Sequence, residues 1–149
     1  MTDPRPDTHI DAEQWSAAAT PARVVVVASG FAGFHTCRAL ERALPADKAH
    51  IAVISPTDYM LHSPLLPEVA AGVMDPRHIV IPPAQSLRRT VPVLGFGVDT
   101  DLERHLVTVH LPDGQTRKVG YDRLTLSPGS VTRDFTIPGL DEHARGFRS

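Results

Sequence analysis

The sequence has 149 residues, 42% hydrophobic and 21% charged, enough for one domain burying about 68–70% of its unfolded surface and too apolar for wholesale disorder. Lys+Arg 15 against Asp+Glu 17 leave a net charge of −2, which argues against a nucleic-acid binder with its basic face. A single cysteine, Cys37, excludes an internal disulfide and any C-x-x-C redox or zinc site, and no apolar run approaches the ~18–20 residues of a membrane helix.

Residues 1–22 are polar, contain Ala and Pro without periodicity, and carry only Ile10 and Trp15 as large apolar groups. This composition predicts a disordered leader, with the folded domain over 23–149. Asp3, Asp7, Asp11 and Glu13 leave no basic region of the kind that opens a signal peptide. Val24-Val25-Val26-Val27 is a short continuous β-branched run, the pattern of a strand buried on both faces in a parallel sheet. Ser29-Gly30-Phe31-Ala32-Gly33 breaks it. A helix follows to about Leu44, with Phe34, Cys37, Leu40, Ala43 and Leu44 on one face and Pro45 closing it.

His50–Ile54 predicts a second buried strand, completing a β-α-β unit. The connection from Thr57 to Pro83 predicts a short helix around Leu65–Ala71 capped by Gly72, an extended Ile79–Ile81, and a further short helix near Ala84–Arg89. The last third reads as strands: Val93–Val98, then Leu106–Leu111, the turn Pro112-Asp113-Gly114, a return over Arg117–Val119, and Leu124–Leu126. The fold class is therefore α/β, a Rossmann-like half-domain with a central parallel sheet, one long helix beneath it and a β-meander.

The chemistry signal sits between the first strand and its helix. A dinucleotide fingerprint reads G-x-G-x-x-G: the middle glycine admits a pyrophosphate to the helix N-terminus, and the last lets helix and strand pack closely. Gly30 and Gly33 hold the second and third places, and Ala28 the first. The acidic residue expected at the end of the second strand, which would hold ribose hydroxyls, is replaced by Ser55. The loss of a charge-assisted acceptor pair is worth roughly 1–2 kcal/mol.

Four segments in order resemble type II NADH dehydrogenases, within the pyridine nucleotide-disulfide oxidoreductase superfamily. Val24–Gly33 is similar to the family's flavin-binding start, and Asp58–Glu68 (D-Y-M-L-H-S-P-L-L-P-E) to its N-Y-x-L-x-x-P-L-L segment. Tyr121–Ser130 is similar to its Y-D-x-L-x-x-A-x-G-S stretch, and Ile137–Ala144 to the segment before its NADH domain. The resemblance implies an FAD-binding domain, N-terminal part, of an FAD-dependent NADH:quinone-type oxidoreductase, with NADH as substrate and a quinone as electron acceptor. By position, Ser29, Gly30, Phe31, Ala32 and Gly33 would cradle the pyrophosphate. Ser55 would face the adenosine ribose and the Gly97 backbone the adenine, while Ser63, Pro64 and Gly129 would approach the flavin.

The resemblance further implies that the NADH domain, the late strand that completes the flavin site and the C-terminal membrane-binding region are absent. On that reading FAD binding is weak or lost and the 149-residue chain is inactive alone. It also implies a cytoplasmic protein, peripheral to the inner membrane face only in a full-length form. The alternative is a degenerate nucleotide-binding or interaction module without catalysis, which Ala28 and Ser55 favour.

No side chain is a convincing acid, base or nucleophile. Cys37 lies on the apolar helix face as a core residue. The eight histidines show no ligand pair at helical spacing, so no metal site is expected. Ser127 and Ser130 lack a partnered His and a nucleophile elbow. His62 and Glu68 read as solvated loop and surface groups, and Arg88-Arg89 is too short a basic run for nucleic acid.

Overall fold

The valine run becomes the inner strand on which the molecule is organised. The computed structural model describes residues 21–28, 30–130 and 137–143, so the leader expected over 1–22 lies, apart from its last two residues, outside the described part. Strand β1 (Ala22–Val27) leads into helix α1 (Phe31–Ala43), which returns the chain to β2 (Ala49–Ser55), parallel to β1 with Val24 opposite Ile51 and Val27 opposite Ile54. Leu44 ends α1 in an extended conformation, as a residue preceding Pro45 must.

The long connection contains more structure than its composition suggests. Strand β3 (Met60–Leu61) pairs antiparallel with β4 (Val80–Ile81), and a 3-10 turn at Ser63–Leu65 runs into α2 (Leu66–Ala70). Gly72 closes α2 at φ 72°: its N–H reaches the Val69 carbonyl at 3.0 Å and the Val73 N–H the Glu68 carbonyl at 2.9 Å, a Schellman cap. Helix α3 (Pro83–Ser86) is shorter than the expected Ala84–Arg89, because Leu87–Arg89 leaves the helix to enter β5 (Thr90–Leu94).

The expected single strand Val93–Val98 divides in two. β5 joins the parallel sheet beside β2, whereas β6 (Phe96–Asp101) belongs to an antiparallel meander with β7 (Leu106–His110) and β8 (Thr116–Gly120). Gly95 is the junction. Its N–H donates to the Ser55 carbonyl at 2.8 Å, and a Cβ there would lie 2.7 Å from both the His110 carbonyl oxygen and Val109 Cγ1. β9 (Arg123–Leu126) returns to the free side of β1, giving the parallel order β5-β2-β1-β9; a last helix, α4, spans Leu140–His143.

Alternation along β1 sends successive valines to opposite faces. Val24 and Val26 pack under α1 with Phe34, Cys37, Ile51 and Val53. Val25 packs under the meander with Ala52, Ile54, Val107, Val109 and Tyr121. The sheet is thus covered by helix on one side and by strands on the other, and each buried Val or Ile contributes ~1.5–3 kcal/mol of apolar burial.

Two polar clusters lock the edge where the parallel strands begin. Asp122, just before β9, accepts the Arg23 backbone N–H at 2.7 Å, its Nε at 3.0 Å and its Nη2 at 2.9 Å. Glu41, near the end of α1, accepts from the N–H groups of Arg88 (3.1 Å), Arg89 (2.8 Å) and Thr90 (2.7 Å) and from the Thr90 hydroxyl (2.8 Å). Burial would raise the Glu41 carboxyl, but these donors hold it below its ordinary value. Arg89 Nη2 in turn donates to the Glu41 and Leu44 carbonyls at 2.6 and 2.7 Å, filling acceptors at the end of α1.

Candidate functional site

The chain lays strands outward from β1 through β2 to β5 and then reverses to place β9 on the other side of β1. In open α/β sheets, ligands occupy the crevice beyond the carboxyl ends of the strands where the order reverses. That crevice here lies beyond Val27, and the fingerprint residues open it.

Gly30 is the N-cap of α1, with φ −105° and ψ −165°, a backbone conformation open to any residue. A Cβ on it would meet no atom of the described residues within 4 Å. Neither strain nor packing among the described residues accounts for a glycine at this place. The α1 end behind it carries no side-chain cap and no acid in its first turn, which leaves the first N–H groups and the positive dipole end for an anion. Gly33 answers to the opposite demand. Its Cβ would overlap the Ala28 methyl, and Ala28 Cα lies 3.4 Å from that position, so the glycine lets α1 sit on the end of β1. Ala28, at the first fingerprint place, fills the space that Gly33 vacates.

A cavity of about 160 Å³ adjoins this turn, lined at its base by Ala28 and Gly30, by Val53 and Ser55 of β2, and by Leu87 and the β5 residues Pro92–Leu94. An apolar cavity of roughly this size (~150 Å³) accepts a single six-membered aromatic ring. Its rim carries Thr57, Asp58 and Tyr59. Ser55 is buried, and its hydroxyl faces back into its own turn, donating to the Thr57 carbonyl at 2.6 Å and accepting the Thr57 N–H at 3.2 Å.

The sequence-predicted residues divide around this crevice. Gly30 and Ser55 line the cavity, Gly33 supports it, and Ser29 lies outside the described residues. Phe31 and exposed Ala32 form the first turn of α1, and the Phe31 ring lies 5.1 Å from the ring of His62, whose neighbours are Ser63 and Pro64. The Asp58–Glu68 segment is thereby brought beside the phosphate turn, although Ser63 and Pro64 are not part of the cavity wall. Gly129, at φ 83°, follows β9 just beyond Ser127, whose N–H donates to the Val27 carbonyl at 2.9 Å. Gly97 lies on β6 against β1, where a Cβ would sit 2.9 Å from Val27 Cγ1; it is not part of the cavity wall.

Sequence reasoning missed Leu87, Pro92 and Leu94 as wall residues, because their convergence depends on β5 lying beside β2. Cys37 is fully buried, and burial, with Glu41 nearby, pushes its thiol up to about 12, which leaves it unreactive. Among the described residues, no group of three or more His, Cys, Asp and Glu side chains could hold a metal ion. None of their helices is long and apolar enough to cross a membrane.

A model of the pyridine nucleotide-disulphide oxidoreductase family matches residues 22–149. The chain belongs to that family. Among its relatives within the pyridine nucleotide-disulphide oxidoreductases is the type II NADH:quinone oxidoreductase of Staphylococcus epidermidis, 28% identical over 122 residues, covering 82% of this chain and 30% of the relative. The mitochondrial external alternative NAD(P)H-ubiquinone oxidoreductase of Arabidopsis thaliana is 29% identical over 134 residues, covering 82% of this chain and 22% of its own. The chain thus spans about 30% or less of the length of these relatives.

NDH2 from Plasmodium falciparum, solved in complex with NADH, superposes with a TM-score of 0.71 at 21% identity, over 83% of this chain and 25% of the other. The sulfide:quinone oxidoreductase of Aquifex aeolicus superposes with a TM-score of 0.69 at 25% identity, over 81% and 27%. The resemblance to type II NADH dehydrogenases and the Rossmann-like α/β fold expected from the motifs are both borne out.

Proposed function

We propose that this chain supplies the FAD-binding part of an NADH:quinone-type oxidoreductase, holding the adenosine and pyrophosphate of the cofactor at the carboxyl edge of its parallel sheet. The observation that carries this reading is Gly30: an unstrained glycine with open space where a side chain would stand, at the uncapped start of α1 and on the wall of a ring-sized cavity. The residues fit the group. The first N–H groups of α1 would receive the pyrophosphate charge, and the cavity with its open rim part of the adenosine. The Ser63-Pro64 turn and Gly129 would border the isoalloxazine. FAD, when bound, supplies two-electron hydride chemistry; the chain's own part is to bind, orient and exclude water. Quinone as acceptor belongs to the same proposal, supported by the quinone-reductase names of the relatives; peripheral membrane association is proposed only for a full-length form.

One observation favours the alternative of a nucleotide-binding module without catalysis. The Ser55 hydroxyl is engaged by Thr57, so the end of β2 offers no carboxylate where the fingerprint has one. The two readings separate on binding alone. Titrating the 149-residue chain with FAD and with ADP, by flavin fluorescence and calorimetry, is expected to give weak but saturable binding of both, with FAD the tighter only to the extent that Ser63, Pro64 and Gly129 would also border its flavin. Gly30→Val is expected to abolish both without unfolding the chain. Equal affinities would favour the module, and binding unaffected by Gly30→Val would place the nucleotide elsewhere.

A further inference from the structure

We propose that Asp58, rather than Ser55, accepts the ribose hydroxyls of the nucleotide in this cavity; the assignment rests on the nucleotide reading above. A ribose diol presents two O–H donors, and a carboxylate offers two oxygens that can accept both as charge-assisted hydrogen bonds. At the end of β2 this acceptor is missing, and the structure shows that Ser55 does not replace it. Its hydroxyl proton is committed to the Thr57 carbonyl at 2.6 Å, and it also accepts the Thr57 N–H at 3.2 Å. The Thr57 hydroxyl is committed in the same way, donating to the Tyr59 carbonyl at 2.9 Å.

These bonds fold residues 55–59 into a compact turn that keeps Thr57, Asp58 and Tyr59 on the cavity rim. Asp58 is the single carboxylate among the lining residues. It is exposed, and no hydrogen bond or ion pair with another described residue engages its side chain. Ser55 therefore acts as a positioning residue. It shapes the turn that carries the acceptor, and the acceptor stands three residues further along the chain.

The position also has a consequence for selectivity. A carboxylate at the diol repels a phosphate on the ribose 2′ oxygen, so the site should discriminate against 2′-phosphorylated nucleotides.

The test compares ADP with 2′-deoxy-ADP on the full 149-residue chain, by calorimetry or ligand-observed NMR. The unaltered chain is expected to prefer ADP by roughly tenfold, the worth of one charge-assisted hydrogen bond. Asp58→Ala, at an exposed position where folding is insensitive, should remove that preference. Ser55→Ala should weaken both nucleotides together and leave their ratio intact. Retention of the preference in Asp58→Ala overturns the assignment while leaving the nucleotide reading in place, as does its loss in Ser55→Ala alone. No preference in the unaltered chain overturns the assignment as well. Failure of the unaltered chain to bind either nucleotide overturns both.

Discussion

The two ends of the parallel sheet treat their polar groups in opposite ways. At the amino ends of the strands, Asp122 is met by three donors from Arg23 and Glu41 by four from Arg88–Thr90. At the carboxyl ends, α1 begins without a side-chain cap, Gly30 faces open space, and the Ser127 hydroxyl is buried with no partner among the described residues. Polar groups removed from water without partners are costly. The Tyr121 hydroxyl, on the residue before Asp122, is a second such group among the described residues. The contrast therefore rests on the donors gathered around Asp122 and Glu41 against the uncapped start of α1. The amino end holds the fold together; the carboxyl end is the one proposed above to receive the nucleotide.

The two fingerprint glycines give the sharpest way to break this contrast, because they stand three residues apart and answer to different ends of it. Gly33→Val would drive a side chain into Ala28 and is expected to cost about 3 kcal/mol or more of stability, enough to unfold a marginal chain. Gly30→Val meets nothing and should cost under ~1 kcal/mol while removing nucleotide binding. Urea unfolding followed by circular dichroism measures both, and equal losses of stability would dissolve the distinction.

Next in size is Glu41→Ala. It removes the acceptor for three backbone N–H groups and one hydroxyl that stand partly buried at the start of β5. An expected loss of about 2–3 kcal/mol follows from leaving such donors unsatisfied. β5 also carries Pro92, Val93 and Leu94 into the cavity wall. The same variant should therefore weaken nucleotide binding indirectly, and Glu41→Gln, which keeps one acceptor oxygen, should recover part of both effects.

Much of this arrangement was legible in the sequence, for reasons that are local. The valine run, the glycine turn and the apolar spacing from Phe34 to Leu44 specify a strand, a break and a helix through short-range sterics and periodicity, and β1 and α1 stand close to where those signals put them. What was not legible depends on long-range packing. Val93–Val98 is an unbroken β-type run apart from two glycines, and only the nearness of Val109 and His110 shows why Gly95 divides it between two sheets. The two-residue strand Met60–Leu61 carries no pattern of its own and exists through its partner Val80–Ile81. At the site, Gly30 and Gly33 could be read from spacing alone. The inward turn of the Ser55 hydroxyl could not, because it depends on the path of residues 56–59.

The smallest expected effect concerns the Arg23–Asp122 clasp and its dependence on pH. Hydrogen bonds from the Arg23 side chain and backbone hold the Asp122 carboxyl down to about 2. In the unfolded chain it returns to ~3.9. The folded state thus favours the ionised form, and the stabilisation is fully present above about pH 4 and lost as the pH falls towards 2, where Asp122 protonates in the folded state as well. Because the Asp122 side chain is 37% exposed, solvent screening reduces its worth to about 1 kcal/mol. Arg23 stays charged throughout and adds no pH dependence of its own.

Other carboxylates titrate in the same range, so the effect must be read as a difference. The unaltered chain and Asp122→Asn would be unfolded in urea at pH 6, 4, 3 and 2.5, as conditions of ~25 °C and fixed ionic strength allow. The stability gap between them is expected to be constant from pH 6 to 4 and then to close, because a protonated aspartate and an asparagine make similar partners for a guanidinium. Contributions from Glu41 and every other acid cancel in that gap. A gap that persists undiminished at pH 2.5 would mean that the clasp acts through shape and packing rather than charge, and the amino end would then owe its firmness to Glu41 and the apolar layers alone.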